Sequence, residues 1–530
     1  MSLANAPGTE EMPMRRIVFA TISLLAAAFP AFPPPAVAQE KVLHIGLRED
    51  PDLLDPTLGS SYVGRIVFAG MCDKLFDIDS KLNIVPQLAT GSEWIDPTHL
   101  LIHLRDGVTF QDGEKFNADA VKFKLTRDLT AKGSMRRGEV SSIDSIEVLD
   151  PLTVRLALKA PASQMLAQLT DRAGIMISPK AAQSTASQAA GDPSAVGDQF
   201  GTHPVCAGPF SFEQRVAQDR IVLRRFPGYW DAGRIHFDQV VYSPNPNSSV
   251  RLANLQAGAL DLVEYILPTD VQAVQRDPKL TVSVTDSLSY TGITINTDNG
   301  PAANTSIGKN ALVRQAFELG LDRTALIQVV YNGMYAPTAQ ANPATSPYYA
   351  ADVVPPARDP AKALALLKQA GVATPVPVTL TLTNGSDIQQ AGEVIQAMEK
   401  DAGFDVKLKA MEFASSLQAA YAGDFQAYLI AWSGRSDPDG NMWQMLHAGG
   451  TFNYGHYSNQ DVDEALDGAR TVADVSARRN YYSKVWTQER IDLPLIYLWT
   501  GKNVVGMKKS LTGFVPVPDG LIRLQGVALQ

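Results

Sequence analysis

The chain has 530 residues, with 46 Lys and Arg against 55 Asp and Glu and a formal net charge of −9. Hydrophobic residues make up 45% and charged residues 19%, a globular balance that excludes a disordered chain. Its length predicts about three domains, and its mild acidity excludes a nucleic-acid binder, whose phosphate contacts need clustered Lys and Arg.

Arg15 and Arg16 precede an apolar run from Ile17 to Phe32, and Ala36-Val37-Ala38 forms a small-residue cleavage site. This pattern predicts a secretory signal peptide over 1–38 and a mature N-terminus at Gln39. The acidic stretch before Met14 makes Met14 an alternative start. No later run reaches about 18 apolar residues, so no membrane anchor is expected. No Cys follows the apolar run, which argues against lipidation. The expected location is the periplasm. In that oxidising compartment Cys72 and Cys206 either pair or stay as separate buried thiols. Neither has a Cys or His at zinc-ligand spacing, so no metal is expected there.

In chain order, Lys41–Leu47 alternates like a strand and Pro51 to Gly59 marks a long turn region. Val63–Leu75 has helical periodicity, and His99–Leu104 reads as a strand. Asn117–Thr130 is predicted helical, with Asn117 as N-cap and Asp119 in the first turn. Ile143–Leu149 and Thr153–Leu158 read as strands joined at Asp150-Pro151, and Ala181–Gln199 as a loop or weak helix. A strand block covers Phe210–Val241, and Val250–Ala257 is a helix closed by Gly258. After a short stretch at Thr281–Val284, a new section begins with a strand at Tyr290–Asn296 and a helix at Asn310–Leu319. After a helix at Pro360–Ala370, strands at Val376–Thr383, Val406–Ala410 and Phe425–Ala431 alternate with helices at Ile388–Ala402 and Ser415–Ala422, the β-α-β-α-β order of an α/β lobe. A last helix near 474–490 precedes a strand at Leu493–Thr500.

His99 and His103 are four apart, but in a strand-like context with no third ligand, so a structural role is the better reading. Asp437-Pro438-Asp439-Gly440-Asn441 resembles the start of a calcium loop. Met442 and Ala448 stand where that loop needs Gly and Glu, so a helix start with Asp437 as N-cap fits better. No nucleophile elbow, phosphate loop or dinucleotide fingerprint occurs, which leaves an enzyme without a positive signal. Two features remain. Trp432-Ser433-Gly434-Arg435 lies at the C-terminal end of a predicted α/β strand, where open sheets bind ligands. Ser134-Met135-Arg136-Arg137-Gly138 is a basic loop in an acidic chain.

Several stretches together carry a family resemblance. They are Ile84–Ala89 (IVPQLA), Leu100–Gly113 (LLIHLRDGVTFQDG), Phe116–Val121 (FNADAV), Pro204–Phe210 (PVCAGPF), Gly228-Tyr229-Trp230, Arg251–Asp261 (RLANLQAGALD), Val313–Ala316 with Leu321-Asp322-Arg323, and Asn453–Ser458 (NYGHYS). In this order the chain resembles periplasmic solute-binding proteins of the dipeptide/oligopeptide/nickel-binding class, extracytoplasmic solute-binding protein family 5. These are the receptors of ABC importers.

The resemblance implies an α/β, two-lobed, three-domain periplasmic binding protein fold with a hinge and an interlobe cleft. Domain I would take 40–72, 200–285 and 500–530, domain II 73–199, and domain III, the second lobe, 286–499. The hinge would lie near Thr285–Ser289 and Leu498–Gly501. The implied partners are a small-molecule or peptide ligand and the transmembrane subunits of an ABC permease. No cofactor, no catalysis and a monomer are expected. A Cys72–Cys206 disulfide is implied as well.

Cleft residues follow by position: Ser61 and Tyr62 on the first lobe, Arg136 and Arg137 on a domain II loop, and Asn384, Trp432, Ser433, Gly434, Arg435 and Asp437 on the second lobe. Dipeptide-binding relatives carry an Asp shortly after the Trp of a G-W-x-x-D segment, to grip the ligand's amine. Here Arg435 stands in that place, with Asp437 two residues on as an alternative charge. The Arg with which those relatives grip a carboxylate has no counterpart in Asn384–Gln390. The expected ligand therefore presents a carboxylate, phosphate or dense hydroxyls near Arg435, and ordinary dipeptides are disfavoured. The alternatives are a secreted hydrolase of peptides or glycans, and a binding receptor for a membrane chemoreceptor.

Overall fold

Two long strands, Leu280–Ile295 and Leu495–Lys508, run antiparallel through the centre of an 11-stranded sheet. They belong to a computed structural model that describes residues 40–188 and 196–530. The expected signal peptide lies outside the described residues. On one side of the pair lie Leu262–Val263, Val42–Leu47, Gln239–Pro244, Arg220–Arg225 and Phe210–Val216. On the other lie Ala427–Trp432, Val376–Thr383 and Phe404–Met411. The two sides are the sheets of two lobes, and the long strands are shared, so the fold is a two-lobed α/β architecture. The ladder between the long strands breaks at their middle. Asp286 pairs with Lys502 and Tyr290 with Thr500, so Ser287-Leu288-Ser289 bulge out opposite Gly501.

This differs from the separate short segments read at Thr281–Val284 and Tyr290–Asn296. Local propensity at Ser287–Ser289 favours a break, but pairing with a distant strand carries the ladder past it. The same holds for Leu493–Thr500, which continues to Lys508.

Two of the hydrophobic cores among the described residues of the first lobe position the site. In one, Leu43, Ile45 and Leu47 pack on Val63, Ile66 and Phe68 of the helix Tyr62–Met71 and on Ile522 and Leu524 near the C-terminus. A disulfide joins Cys72, the C-cap of that helix, to Cys206. The other core lies under a four-stranded antiparallel sheet in the order Ala89–Asp96, His99–Leu104, Thr153–Leu158, Ile143–Asp150. Leu100, Ile102 and Leu104 are buried and His103 is exposed, the alternation of a half-buried strand. The helix Ala118–Thr130 packs on it, with Asn117 Oδ1 accepting from the Ala120 amide at 3.0 Å. That bond satisfies one of the amides a helix start leaves free. The second lobe is built around Ile293 and Ile295 with Val313, Ala316 and Phe317 of the helix Ala311–Gly320. A further core surrounds Tyr482 and Trp486. Among the described residues no helix is long and apolar enough to cross a membrane.

Candidate functional site

The interruption in the long strands opens onto a cavity between the lobes. Ser287, Ser289 and Gly501 line it together with residues of both lobes. Its volume is about 200 Å³, room for roughly ten or more waters or a solute in their place. Many aromatic side chains stand in its walls, among them Tyr62 and Tyr265 from the first lobe, and Tyr331, Tyr335, Trp432 and Trp499 from the second lobe and the long strands. Such a lining suits a ligand held by a few placed polar groups.

Arg48 and Glu49 follow directly on the strand Val42–Leu47 and both face the cavity. Arg48 is held by a fork. Its Nε and Nη2 donate to the two oxygens of buried Glu264 at 2.8 and 2.9 Å, and its guanidinium lies 3.9 Å from the Tyr265 ring centre. Its Nη1 has no protein hydrogen bond among the described residues, and about a third of its side chain is exposed (34%). Glu49 has no hydrogen-bond or ion-pair partner there. Burial, with Glu264, Asp52 and Glu412 nearby, pushes its carboxyl up to about 8 against the pull of Arg48. The other charged wall residues are committed: Asp387 accepts from Tyr265 Oη at 3.0 Å, Asp519 pairs with Arg523 at 2.8 Å, and Lys502 pairs with Asp286. Arg251 donates to the Asn245 and Tyr265 carbonyls at 2.5 and 3.3 Å.

The structure gathers only some of the residues expected from sequence. Tyr62, Asn384, Trp432 and Ser433 line the cavity. Tyr62 Oη donates to the Gly520 carbonyl at 2.8 Å, and Trp432 Nε1 to Asn441 Oδ1 at 3.0 Å. The other six do not line it. Ser61 caps the helix Tyr62–Met71 and donates to Asp52 at 2.6 Å. Arg136 is fully buried against Glu139, and exposed Arg137 donates to the carbonyls of Leu129 and Ala131. Gly434 turns the chain with φ +75° against the Leu288 backbone.

Arg435 is buried with Nε 2.5 Å from Asp171 Oδ2, an ion pair not aligned as a hydrogen bond, and it does not line the cavity. The expected anion contact at Arg435 is thus taken by Asp171 of the first lobe. Asp437 does not supply the alternative charge, because Arg478 grips both its oxygens at 2.8 Å. The helix there starts at Asp439 with Pro438 as N-cap, one residue later than read, and Asp437 Oδ1 still accepts from the Asp439 amide at 2.9 Å. Among the described residues no group of three or more His, Cys, Asp or Glu is placed to hold a metal; His99 leans on Asp96 at 2.9 Å.

Arg48 and Glu49 were not singled out from sequence. They follow a predicted strand at the edge where open sheets bind ligands, and that position was the available signal. Contacts between the lobes surround the cavity. Tyr265 reaches Asp387, Ser248 meets Ser386 at 3.1 Å, Gln168 donates to Asp439 at 2.8 Å, and Arg65 donates to Ser433 at 3.2 Å.

Residues 83–453 match the family described as Bacterial extracellular solute-binding proteins, family 5 Middle. The glutathione-binding protein GsiB of Pectobacterium atrosepticum is 29% identical over 492 residues, covering 90% of this chain and 92% of its own. Among solved structures, the chain is similar to the binding protein AgaA of A. tumefaciens R10 in complex with agropinic acid. That match has a TM-score of 0.82 at 26% identity, over 92% of this chain and 99% of that one. A dipeptide-binding protein from Pseudoalteromonas sp. SM9913 in complex with Met-Leu matches with a TM-score of 0.84 at 20% identity, over 92% of this chain and 100% of that one, a likeness of fold.

Proposed function

We propose, for a chain that belongs to the family 5 bacterial extracellular solute-binding proteins, that its solute is an amino-acid conjugate with a free α-amino-acid head group. The family's role is this chain's general role: it binds a solute outside the cytoplasm and delivers it to an ABC importer, without catalysis. The segment 1–38 is read as the export signal. Closure is read as a rotation about the two long strands, where Ser287–Ser289 and Gly501 leave the ladder. A ligand touching both lobes favours the closed state by its differential affinity.

The adjacent charges of Arg48 and Glu49 carry the reading. An α-amino-acid head group holds an ammonium and a carboxylate a few bonds apart. Glu49, the wall carboxyl without a partner, suits the ammonium, and the free edge of Arg48 suits the carboxylate. An ordinary peptide separates these two charges by its whole length. The aromatic walls suit the remainder of the conjugate, with Trp432 placed to stack on it. The name of the curated relative makes glutathione the first compound to test, since its γ-glutamyl end has such a head group.

Titration calorimetry of the chain without 1–38 tests this, using glutathione, other γ-glutamyl conjugates and opines against ordinary dipeptides. Conjugates with the head group are expected to bind. Glu49→Gln and Arg48→Met should each weaken them by about 10- to 100-fold, the worth of a hydrogen bond to a charged group. Tight binding of ordinary dipeptides, unchanged in Glu49→Gln, refutes the reading.

A further inference from the structure

Behind Ser433, outside the cavity wall, four guanidinium groups are buried together. Arg65, Arg136 and Arg172 belong to the first lobe and Arg435 to the second, and none is more than 8% exposed. Two carboxylates serve them. Asp171 accepts from Arg65 Nε at 2.9 Å and lies 2.5 Å from Arg435 Nε, and Glu139 accepts from Arg136 Nη1 at 2.5 Å. Arg172 has no carboxylate within ion-pair distance. Its Nη1 rests on the Gly59 and Ser61 carbonyls at 3.0 and 3.4 Å, and Arg136 Nη2 shares the Gly59 carbonyl at 3.3 Å.

Four cations against two carboxylates leave positive charge uncompensated in a site shielded from water. The neighbouring charges do not offset it, because Lys124 is paired with Asp128 and Asp519 with Arg523. Donors are also left over. Arg172 Nε and Nη2, Arg136 Nε and Arg435 Nη2 are buried without a protein acceptor, and on the acceptor side Glu139 Oε2 and Asp171 Oδ2, which faces Arg435, have no hydrogen bond. Buried polar groups of a folded protein are almost always hydrogen-bonded, and buried charges are paired. Burial, then Arg136, drives the Arg172 pKa well below that of an ordinary arginine, consistent with crowding of like charge.

We propose that this cluster binds a small monovalent anion such as chloride, held by Arg172 and Arg136 of the first lobe and completed by Arg435 of the second. The anion is separate from the transported solute, because Arg136, Arg172 and Arg435 do not line the cavity. It also acts on closure. The first lobe alone sets three arginines against two carboxylates, and closure adds a fourth cation. An anion offsets that repulsion, so anion and closure favour each other, and by linkage the anion tightens solute binding.

The test needs no knowledge of the solute. Thermal unfolding of the solute-free protein is compared in sodium chloride and sodium gluconate at equal ionic strength, and crystals soaked in bromide are read by anomalous scattering. Chloride should raise the midpoint saturably, by at least about 2 °C. Bromide should appear within hydrogen-bond distance of Arg172 and Arg136 in the wild-type protein. Arg172→Met should abolish the difference between the two salts. Equal unfolding in both salts, or anomalous density without a peak at the cluster, overturns the proposal. The bromide measurement stands even if the variant fails to fold. A failure of the glutathione reading leaves both measurements untouched.

Discussion

Glu49 meets burial and three carboxylates, Glu264, Asp52 and Glu412, with only Arg48 to favour its ionised form. Its carboxyl is pushed up to about 8, so at neutral pH the solute-free site mostly holds a proton that an incoming ammonium must displace. Affinity is therefore expected to fall as pH drops below that value, by up to about tenfold per pH unit, with one proton released on binding. Calorimetry in buffers of different ionisation enthalpy measures that proton. Glu49→Gln, which cannot ionise, should bind with a flat pH profile, and an unchanged slope in the variant contradicts the assignment. From sequence, Trp432 and Ser433 are legible as cavity residues because they end a predicted α/β strand. Glu49 is not, because a chain with 55 acids offers no local mark of the one that lacks a partner.

At the scale of elements, the loop after the strand Ala427–Trp432 depends on Gly434. Its φ of +75° is left-handed, and a Cβ there would strike the Leu288 backbone in the bulge of the first long strand. Gly434→Ala is expected to destabilise the protein by about 1–3 kcal/mol and to weaken solute binding by displacing Ser433. Gly233→Ala, at a position with open space and an ordinary φ, serves as the neutral control. Thermal unfolding of both variants checks this, and equal midpoints refute it. Most elements were legible because capping and periodicity act over three or four residues, as at Asn117 and Ala120. The length of the two long strands was not legible. Their continuity past Ser287–Ser289 rests on cross-strand pairing with residues about two hundred positions away.

At the scale of the whole molecule, the second lobe stores two buried acids. Glu399 and Glu489 leave all four carboxyl oxygens without hydrogen-bond partners. Burial holds both well above the ordinary glutamate range, Glu318 adding to it at Glu489 and Arg358 opposing it at Glu399. In the folded chain each keeps a proton at pH values where the unfolded chain has lost it. Unfolding then releases protons, so the contribution of these two groups to stability is full at or below the ordinary glutamate pKa and falls as pH rises above it, by up to about 1.4 kcal/mol per pH unit for each group. Denaturant unfolding between about pH 5 and 8 should show this slope. Glu399→Gln and Glu489→Gln should each flatten it and stabilise the protein at the upper end. A variant that follows the wild-type slope refutes the assignment.

The sequence by itself determined most of the elements, which rest on local periodicity and capping, and its short motifs in a fixed order carried the family resemblance that implied the two-lobed α/β plan. Only the tertiary structure decided which charges are free to meet a ligand. Arg435 reads as a cavity residue in sequence, yet it is buried behind the wall against Asp171 of the opposite lobe. Arg48 is unremarkable in sequence, yet Glu264, 216 positions away, aims it at the cavity beside an unpaired Glu49. The physical reason is electrostatic: a charge acts according to its partners and its burial, and both are set by residues that only the folded chain brings together.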